Sequence, residues 1–376
     1  MKEKCRGCGQ ILPVQNLLQY RNMPKSAQFF PTEGELATEH GIDILLKQCP
    51  YCGLIQAMGE PVSYYRDVIR ATSVSGEMRE FREEQYKNWV EEFQLTGKKI
   101  IEIGCGKGEY MSFMEKAGGI VYGLEHLQES VEKGKQGGHI IFQGFIENED
   151  YEIPMAPYDG FYIMNFLEHI PDPNELLRGI ANNLSEKAVG IVEVPNFDMM
   201  LKCSLYSEFI QDHLNYFTED TLRNLLERNG FQVLKCKSIW HHYILSAVVQ
   251  KRLFTSTEGF KKKHEQLRRE VKEFLDEQKR KGNRVASWGA GHQALANLSL
   301  LDMGADIEYV IDSADFKQNK FTPATHIPIV APERLLSGEV QMVIIMVAGY
   351  SQEVKRIMDK KYPKIDKVIL TEEGIK

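Results

Sequence analysis

No run of about 18 apolar residues occurs in the 376-residue chain, so no membrane-spanning helix is expected. The opening residues Met1-Lys2-Glu3-Lys4-Cys5 have no apolar core and do not read as a signal peptide. Positive charge is not in excess: 46 Lys and Arg stand against 53 Asp and Glu, a net charge of −7. General nucleic-acid binding needs a basic surface that releases counterions, so no nucleic-acid partner is expected. Cysteine is scarce and odd in number, seven in all, and four of the seven form two close pairs. A reducing, cytoplasmic setting with a metal site explains that count better than disulfides do. What is present is ordinary for a water-soluble chain with a full core: 43% hydrophobic and 26% charged residues. The length predicts two or three domains.

The chain is organised around Ile100-Ile101-Glu102-Ile103-Gly104-Cys105-Gly106-Lys107-Gly108. The β-branched run predicts a strand covered on both faces. The glycines let the backbone turn sharply and approach a ligand where a Cβ would collide. A phosphate-binding loop needs Lys-Ser/Thr after its last glycine, and Gly108-Glu109-Tyr110 has neither. A dinucleotide fold wants Gly-x-Gly-x-x-Gly, with pyrophosphate on the helix N-terminus. Here the spacing is Gly-x-Gly-x-Gly, and Glu102 would repel pyrophosphate. A cationic nucleoside, S-adenosylmethionine, suits the stretch better. The next strand, Gly119 to Leu124, ends in Glu125, roughly 20 residues downstream, where a carboxylate accepts ribose hydroxyls in nucleotide-binding folds. Glu102, Gly104, Gly106, Gly108 and Glu125 are therefore the expected cofactor residues. Further strands at His139–Phe145, Tyr158–Asn165 and Ala188–Asn196 complete an open parallel sheet. Ligands bind at the carboxyl ends of such strands, which adds Gly144 and Asn165 to the cofactor set.

Cys5-Arg6-Gly7-Cys8-Gly9 and Cys49-Pro50-Tyr51-Cys52-Gly53 are two Cys-x-x-Cys-Gly knuckles. Together Cys5, Cys8, Cys49 and Cys52 predict a closed four-thiolate site, the structural zinc type. The plainer alternative is a redox dithiol pair or unpaired thiols. This zinc is expected to hold the fold and take no part in the chemistry. Four regions follow: a zinc-ribbon-like module at 1–62, a cofactor domain at 63–252, a charged connecting helix at 253–283 and a smaller Rossmann-like domain at 284–376. Within the second region an amphipathic helix is expected from Gly76 to Phe93. The polar and aromatic stretch before it reads as a linker or an active-site lid, and its Arg70 as a contact for a substrate phosphate or carboxylate. In the last region Gly289-Ala290-Gly291 opens a helix with no acid in front. That helix N-terminus is free to take an anion, such as a diphosphate; the alternative is a degenerate domain that only packs against the first.

Zinc knuckles, a central acidic-Gly-x-Gly-x-Gly fold and a C-terminal Trp-Gly-Ala unit, in that order, resemble the zinc-containing sugar C-methyltransferases. The resemblance covers nearly the whole chain. It extends to Asp312-Ser313-Ala314-Asp315-Phe316-Lys317-Gln318 and to Asp212-His213-Leu214-Asn215-Tyr216-Phe217. It implies an α/β fold built on a class I methyltransferase domain. It implies methyl transfer from S-adenosylmethionine to a carbon of a nucleotide-linked, dTDP-type keto sugar. His213 matches the family's base, His169 in Glu168-His169-Ile170-Pro171 a second active-site histidine, and Asp212 the acid beside the base. The last region becomes the nucleotide-sugar domain, with Gly289, Gly291 and Lys317 as substrate contacts. The chain departs from the family at Ile210, Val68 and Arg70, where tyrosines are usual, and at Asp212, where glutamate is usual.

Methylating a carbon next to a ketone needs a base for the α-proton, a donor for the enolate and an in-line methyl group. Histidine titrates in the range a base needs. An O- or N-methyltransferase on a nucleotide sugar would need only the base. A non-catalytic cofactor- or sugar-binding protein would need none. The domain set and acidic surface are compatible with a monomer.

Overall fold

The structure is a computed structural model that describes residues 3–25, 30–67 and 74–376. Arg70 lies outside the described residues. The chain divides into two compact units, Met1–Phe254 and Thr255–Lys376. The boundary expected at 62 falls inside the first unit. The expected connecting helix falls in the second.

The first unit opens with β1 (Leu18–Met23), β2 (Ile42–Gln48) and β3 (Ile55–Ala57), an antiparallel ladder. Helix α1 (Gly76–Glu92) begins where Ser75 Oγ accepts the Met78 amide. It buries Tyr86, Trp89 and Val90, and with them the charged Arg82. The alternation then runs β4 (Lys99–Ile103), α2 (Met111–Lys116), β5 (Ile120–Glu125), α3 (Gln128–Gln136), β6 (Ile140–Gln143) and β7 (Tyr158–Met164). Helix α4 (Pro173–Asn182) starts on Asp172, whose carboxylate accepts the amides of Asn174 and Glu175. Next come β8 (Leu184–Pro195), α5 (Phe197–Lys202), β9 (Asn215–Tyr216), α6 (Glu219–Arg228), β10 (Phe231–Ile239) and β11 (Ile244–Lys251).

The main sheet has the order β10-β11-β8-β7-β4-β5-β6, parallel from β8 to β6, with β11 antiparallel against β8. Alternating residues feed two cores, as the period of a strand requires. Ile101, Ile103, Phe161 and Ile163 enter one core; Ile100, Tyr162 and Ile191 enter the other. The order reverses between β4 and β7, so their carboxyl ends open a crevice. Strand β9 does not join this sheet. It pairs with β3, Gln56 opposite Asn215 and Ile55 opposite Tyr216. The cysteine module and the segment that carries His213 therefore share one sheet.

The second unit contains α7 (Glu258–Arg280), β12 (Val285–Trp288), α8 (His292–Leu300), β13 (Ile307–Ile311), β14 (Lys320–Phe321), β15 (Pro328–Val330), β16 (Met342–Ile345), α9 (Ser351–Lys361), β17 (Asp366–Thr371) and β18 (Gly374–Ile375). Strands β15, β13, β12, β16 and β17 lie parallel in that order, a Rossmann-like half-turned sheet. Helix α7 buries Val271 and Leu275 in the core of this unit. Among the described residues no helix is long and apolar enough to cross a membrane.

Candidate active site and four-cysteine cluster

Strand β4 ends in Glu102, fully buried between Gly123 of β5 and Tyr162 of β7. Burial, and then the Glu102 carboxylate, push the Tyr162 phenol well up. Gly104, Gly106 and Gly108 follow with φ of 70°, 57° and 89°, the left-handed region where a side chain is strained. The Gly106 amide donates to Glu125 Oε2 at 2.8 Å, and the Leu127 amide to Glu125 Oε1 at 2.9 Å. One carboxylate thus ties the glycine turn to the start of α3. At Gly144, after β6, a Cβ would stand 2.0 Å from the Tyr151 hydroxyl. Asn165, just past β7, is exposed at the same end of the sheet. The six residues from Glu102 to Gly144 gather at the carboxyl ends of β4, β5 and β6, with Asn165 beside them. Two buried carboxylates and an open glycine turn suit a cationic nucleoside.

The short segment expected as a linker or lid reaches across this crevice. Tyr64 donates to Asp212 Oδ1 at 2.7 Å, and Asp67 meets His126 Nδ1 at 2.8 Å. Between them Arg66 lies over the Phe145 ring at 5.2 Å and pairs with Glu147 at 2.9 Å. Arg66, Ile103, Gly104, His126, Gly144 and Phe145 line one pocket. No periodic pattern announced these contacts.

The two histidines come together from positions 44 apart in sequence. Their ring centroids are 4.8 Å apart and their planes nearly perpendicular. His169 sits in a single helical turn after β7, and His213 just before β9. His169 Nδ1 donates to the backbone carbonyl of Asp212 at 2.9 Å. A carbonyl only accepts, so the proton is on Nδ1 and Nε2 keeps its lone pair. Asp212 therefore orients His169 through its backbone, while its carboxylate takes the Tyr64 hydroxyl. Burial, then the neighbouring His169, pushes His213 down to about 3. Burial also lowers His169, against the pull of Asp212.

Glu168, which the sequence reading did not select, belongs to the same cluster. It is 2% exposed, and its Oε1 lies 3.8 Å from His169 Nε2. Among the described residues Oε2 has no hydrogen-bond partner. Burial pushes its carboxyl up to about 8. Its only signal in the sequence was adjacency to His169.

Cys5, Cys8, Cys49 and Cys52 converge with no disulfide among them. Cys5 Sγ stands 3.5 Å from Cys52 Sγ, and Cys8 Sγ 3.5 Å from Cys49 Sγ. Four thiolates on a tetrahedral ion at about 2.3 Å stand about 3.8 Å apart, so the cluster fits zinc. The knuckles also brace the segment that leads to His213. Arg6 donates to the Gln56-flanking carbonyl of Ala57, the Ala57 amide donates to the Leu214 carbonyl at 2.9 Å, and Asn174 of α4 donates to the Arg6 carbonyl at 2.6 Å.

In the second unit Gly289 has φ 122°, and a Cβ there would meet Val347 at 2.6 Å. The Ala290 amide donates to Asp312 Oδ2 at 2.8 Å, and Lys317 Nζ pairs with the same oxygen at 2.9 Å. Gly291 caps α8. Gly289, Lys317 and Asp312 are thus one cluster. A carboxylate already holds a loop amide where an anion was expected. The adjoining cavity, about 550 Å³, is lined by Asp312, Asp315, Glu333 and Glu353 against Lys361.

Residues 78–235 match the family model of a methyltransferase domain, and residues 250–370 that of a C-methyltransferase C-terminal domain. The chain is an S-adenosylmethionine-dependent methyltransferase. The methyltransferase is similar to the C-methyltransferase NovU of Streptomyces niveus, at 22% identity over 94% of this chain and 91% of that protein. It is also similar, at 34% identity, to the ubiquinone biosynthesis O-methyltransferase of Proteus mirabilis, over 23% of this chain and 38% of the relative. Among solved structures it is similar to the magnesium protoporphyrin IX methyltransferase of Synechocystis PCC 6803 with bound SAH. That match has a TM-score of 0.39 and 14% identity, over 50% of this chain and 91% of the other. The main sheet of the methyltransferase, with its antiparallel β11, is the class I form that the resemblance implied.

Proposed function

We propose that this methyltransferase methylates a ring carbon next to the ketone of a nucleotide-linked, dTDP-type keto sugar. The observation that supports it most is the His169–His213 pair, oriented by the Asp212 carbonyl at the open end of the cofactor sheet. S-adenosylmethionine, when bound, supplies an electrophilic methyl group. Glu102, Gly104, Gly106, Gly108, Glu125, Gly144 and Asn165 would hold it, with Glu125 as the carboxylate for its ribose hydroxyls.

His213 takes the α-proton of the sugar. Its low pKa keeps the imidazole neutral throughout the physiological range, so the lone pair is free. The same burial makes it a weak base, so proton removal must be coupled to stabilisation of the enolate oxygen. His169, with its own proton fixed on Nδ1, keeps a free Nε2 lone pair beside His213. Asp212 positions His169. The four cysteines hold a structural zinc ion. The second unit, through Gly289, Gly291 and Lys317, binds the nucleotide. Its acidic cavity suits the hydroxyls of a sugar or base better than a bare diphosphate.

The likeness to O-methyltransferases over a quarter of the chain supports a second reading, transfer to a sugar oxygen. Methyl-labelled S-adenosylmethionine and a panel of nucleotide-linked keto sugars separate the two. Label on a ring carbon, located by NMR, is the expected result, with His213→Asn lowering kcat at least about 100-fold. Label on oxygen overturns the enolate mechanism and keeps the fold and cofactor.

A further inference from the structure

We propose that Glu168, His169 and His213 form a binding site for a divalent transition cation, separate from the four-cysteine cluster. One ligand atom from each residue lies within 4.8 Å of the others. Glu168 Oε1 and His169 Nε2 are already 3.8 Å apart. Two ligands at about 2.1 Å on a tetrahedral ion stand about 3.4 Å apart, so small side-chain rotations close the set.

Two further observations point to an ion. The first is the outer contact of His169. Its Nδ1 proton is fixed on the Asp212 carbonyl at 2.9 Å, which turns the Nε2 lone pair towards the carboxylate. A backbone carbonyl on the far nitrogen is how metal-bound imidazoles are commonly oriented. The second is Glu168 itself. It is 2% exposed, and Oε2 has no hydrogen-bond partner among the described residues. A buried carboxylate with an oxygen that no donor reaches is costly, and a cation bound at its Oε1 neutralises the charge. Two imidazoles and one carboxylate select zinc, cobalt, nickel or iron over magnesium and calcium, which favour oxygen ligands.

The site goes beyond the catalytic reading and does not rest on it. Where His213 serves as the base, a bound ion occupies the lone pair that the α-proton needs. The cation and the proton then compete, and the cation inhibits methyl transfer.

The test uses the full chain with its cysteine cluster loaded with zinc, titrated with Co²⁺. Equilibrium dialysis and visible absorption are read together. One additional Co²⁺ per chain is expected, with ligand-field bands but no sulfur-to-cobalt charge transfer. Glu168→Gln and His169→Asn should each weaken binding at least 10-fold while far-ultraviolet circular dichroism and binding of S-adenosylhomocysteine are retained. Undiminished Co²⁺ binding in both variants assigns the ion to surface histidines and overturns the proposal. So does the absence of a second Co²⁺ in the wild type. If His213→Asn leaves methyl transfer intact, the base reading fails while the Co²⁺ result stands.

Discussion

Arg82→Met should be among the most damaging single changes in the first unit. Arg82 is 1% exposed and Glu193 is fully buried, with Arg82 Nη1 2.5 Å from Glu193 Oε2. Burial, the largest single influence, would depress the guanidinium, but Glu193, Tyr86 and Tyr110 together outweigh it and hold the group above its ordinary value. Gln85 bridges the pair, accepting from Arg82 at 2.7 Å and donating to Glu193 at 2.6 Å. Ser246 of β11 donates to Glu193 at 2.9 Å. Arg82 also lies 5.2 Å from the Tyr110 ring, at the end of the glycine turn. The pair therefore joins α1, β8, β11 and the cofactor loop. Methionine fills the volume but strands the Glu193 charge with two neutral donors. Breaking a buried pair in this way costs about 3–5 kcal/mol, a large part of a domain's about 5–15 kcal/mol. Glu193→Gln added to Arg82→Met removes the stranded charge and keeps both remaining donors satisfied. The double variant should recover most of the loss, to within about 1 kcal/mol of the wild type. Urea unfolding would be followed by tryptophan fluorescence in a Trp288→Phe background, so that only Trp89 and Trp240 of the first unit report. Single losses below about 1 kcal/mol that simply add in the double variant would refute the reasoning.

Glu168 should make the protein less stable as pH rises. Burial pushes its carboxyl up to about 8 in the folded protein, from an ordinary glutamate value of 4.5 in the unfolded chain. Between those values the unfolded chain has lost a proton that the folded chain keeps, so stability falls through this window by roughly 5 kcal/mol in full. Glu168→Gln should abolish that slope and be the more stable protein at pH 8, in urea titrations without added divalent cation; equal slopes would sink the assignment. Zinc analysis of the Glu168→Gln variant should find one ion per chain, and in the wild type a strong chelator or Cys52→Ser should lower the thermal midpoint of the first unit by roughly 10 °C. Methyl transfer should fall with it, because β3 carries β9; an unchanged midpoint after complete removal of zinc would refute the structural role.

The sequence alone determined whatever depends on neighbours along the chain. A β-branched run, three glycines and an acid specify a strand and a turn by local sterics, and the structure places Glu102 and the glycine φ angles accordingly. Glu125 was legible because its distance from the turn is fixed by one helix and one strand. The two cysteine pairs were legible because each knuckle aims its own thiols. Ser75 and Asp172 mark helix starts through their own side-chain oxygens, and Gly282 a helix end through its positive φ.

Only the tertiary structure decided the rest. It set β9 against β3, so the cysteine module supports the His213 segment instead of standing apart from it. It brought Glu168 and His169 to His213, and it sealed Arg82, from a helix rich in charge, against Glu193, 111 positions away. It spent the Ala290 amide on Asp312. Each of these depends on which surfaces meet across long loops, where closure entropy depends only weakly on length and no periodic pattern names the partner. The same residues would read identically in a chain where those surfaces never met. Function in this methyltransferase follows the same division: the cofactor turn is written locally, and the histidine cluster exists only once the sheets have closed.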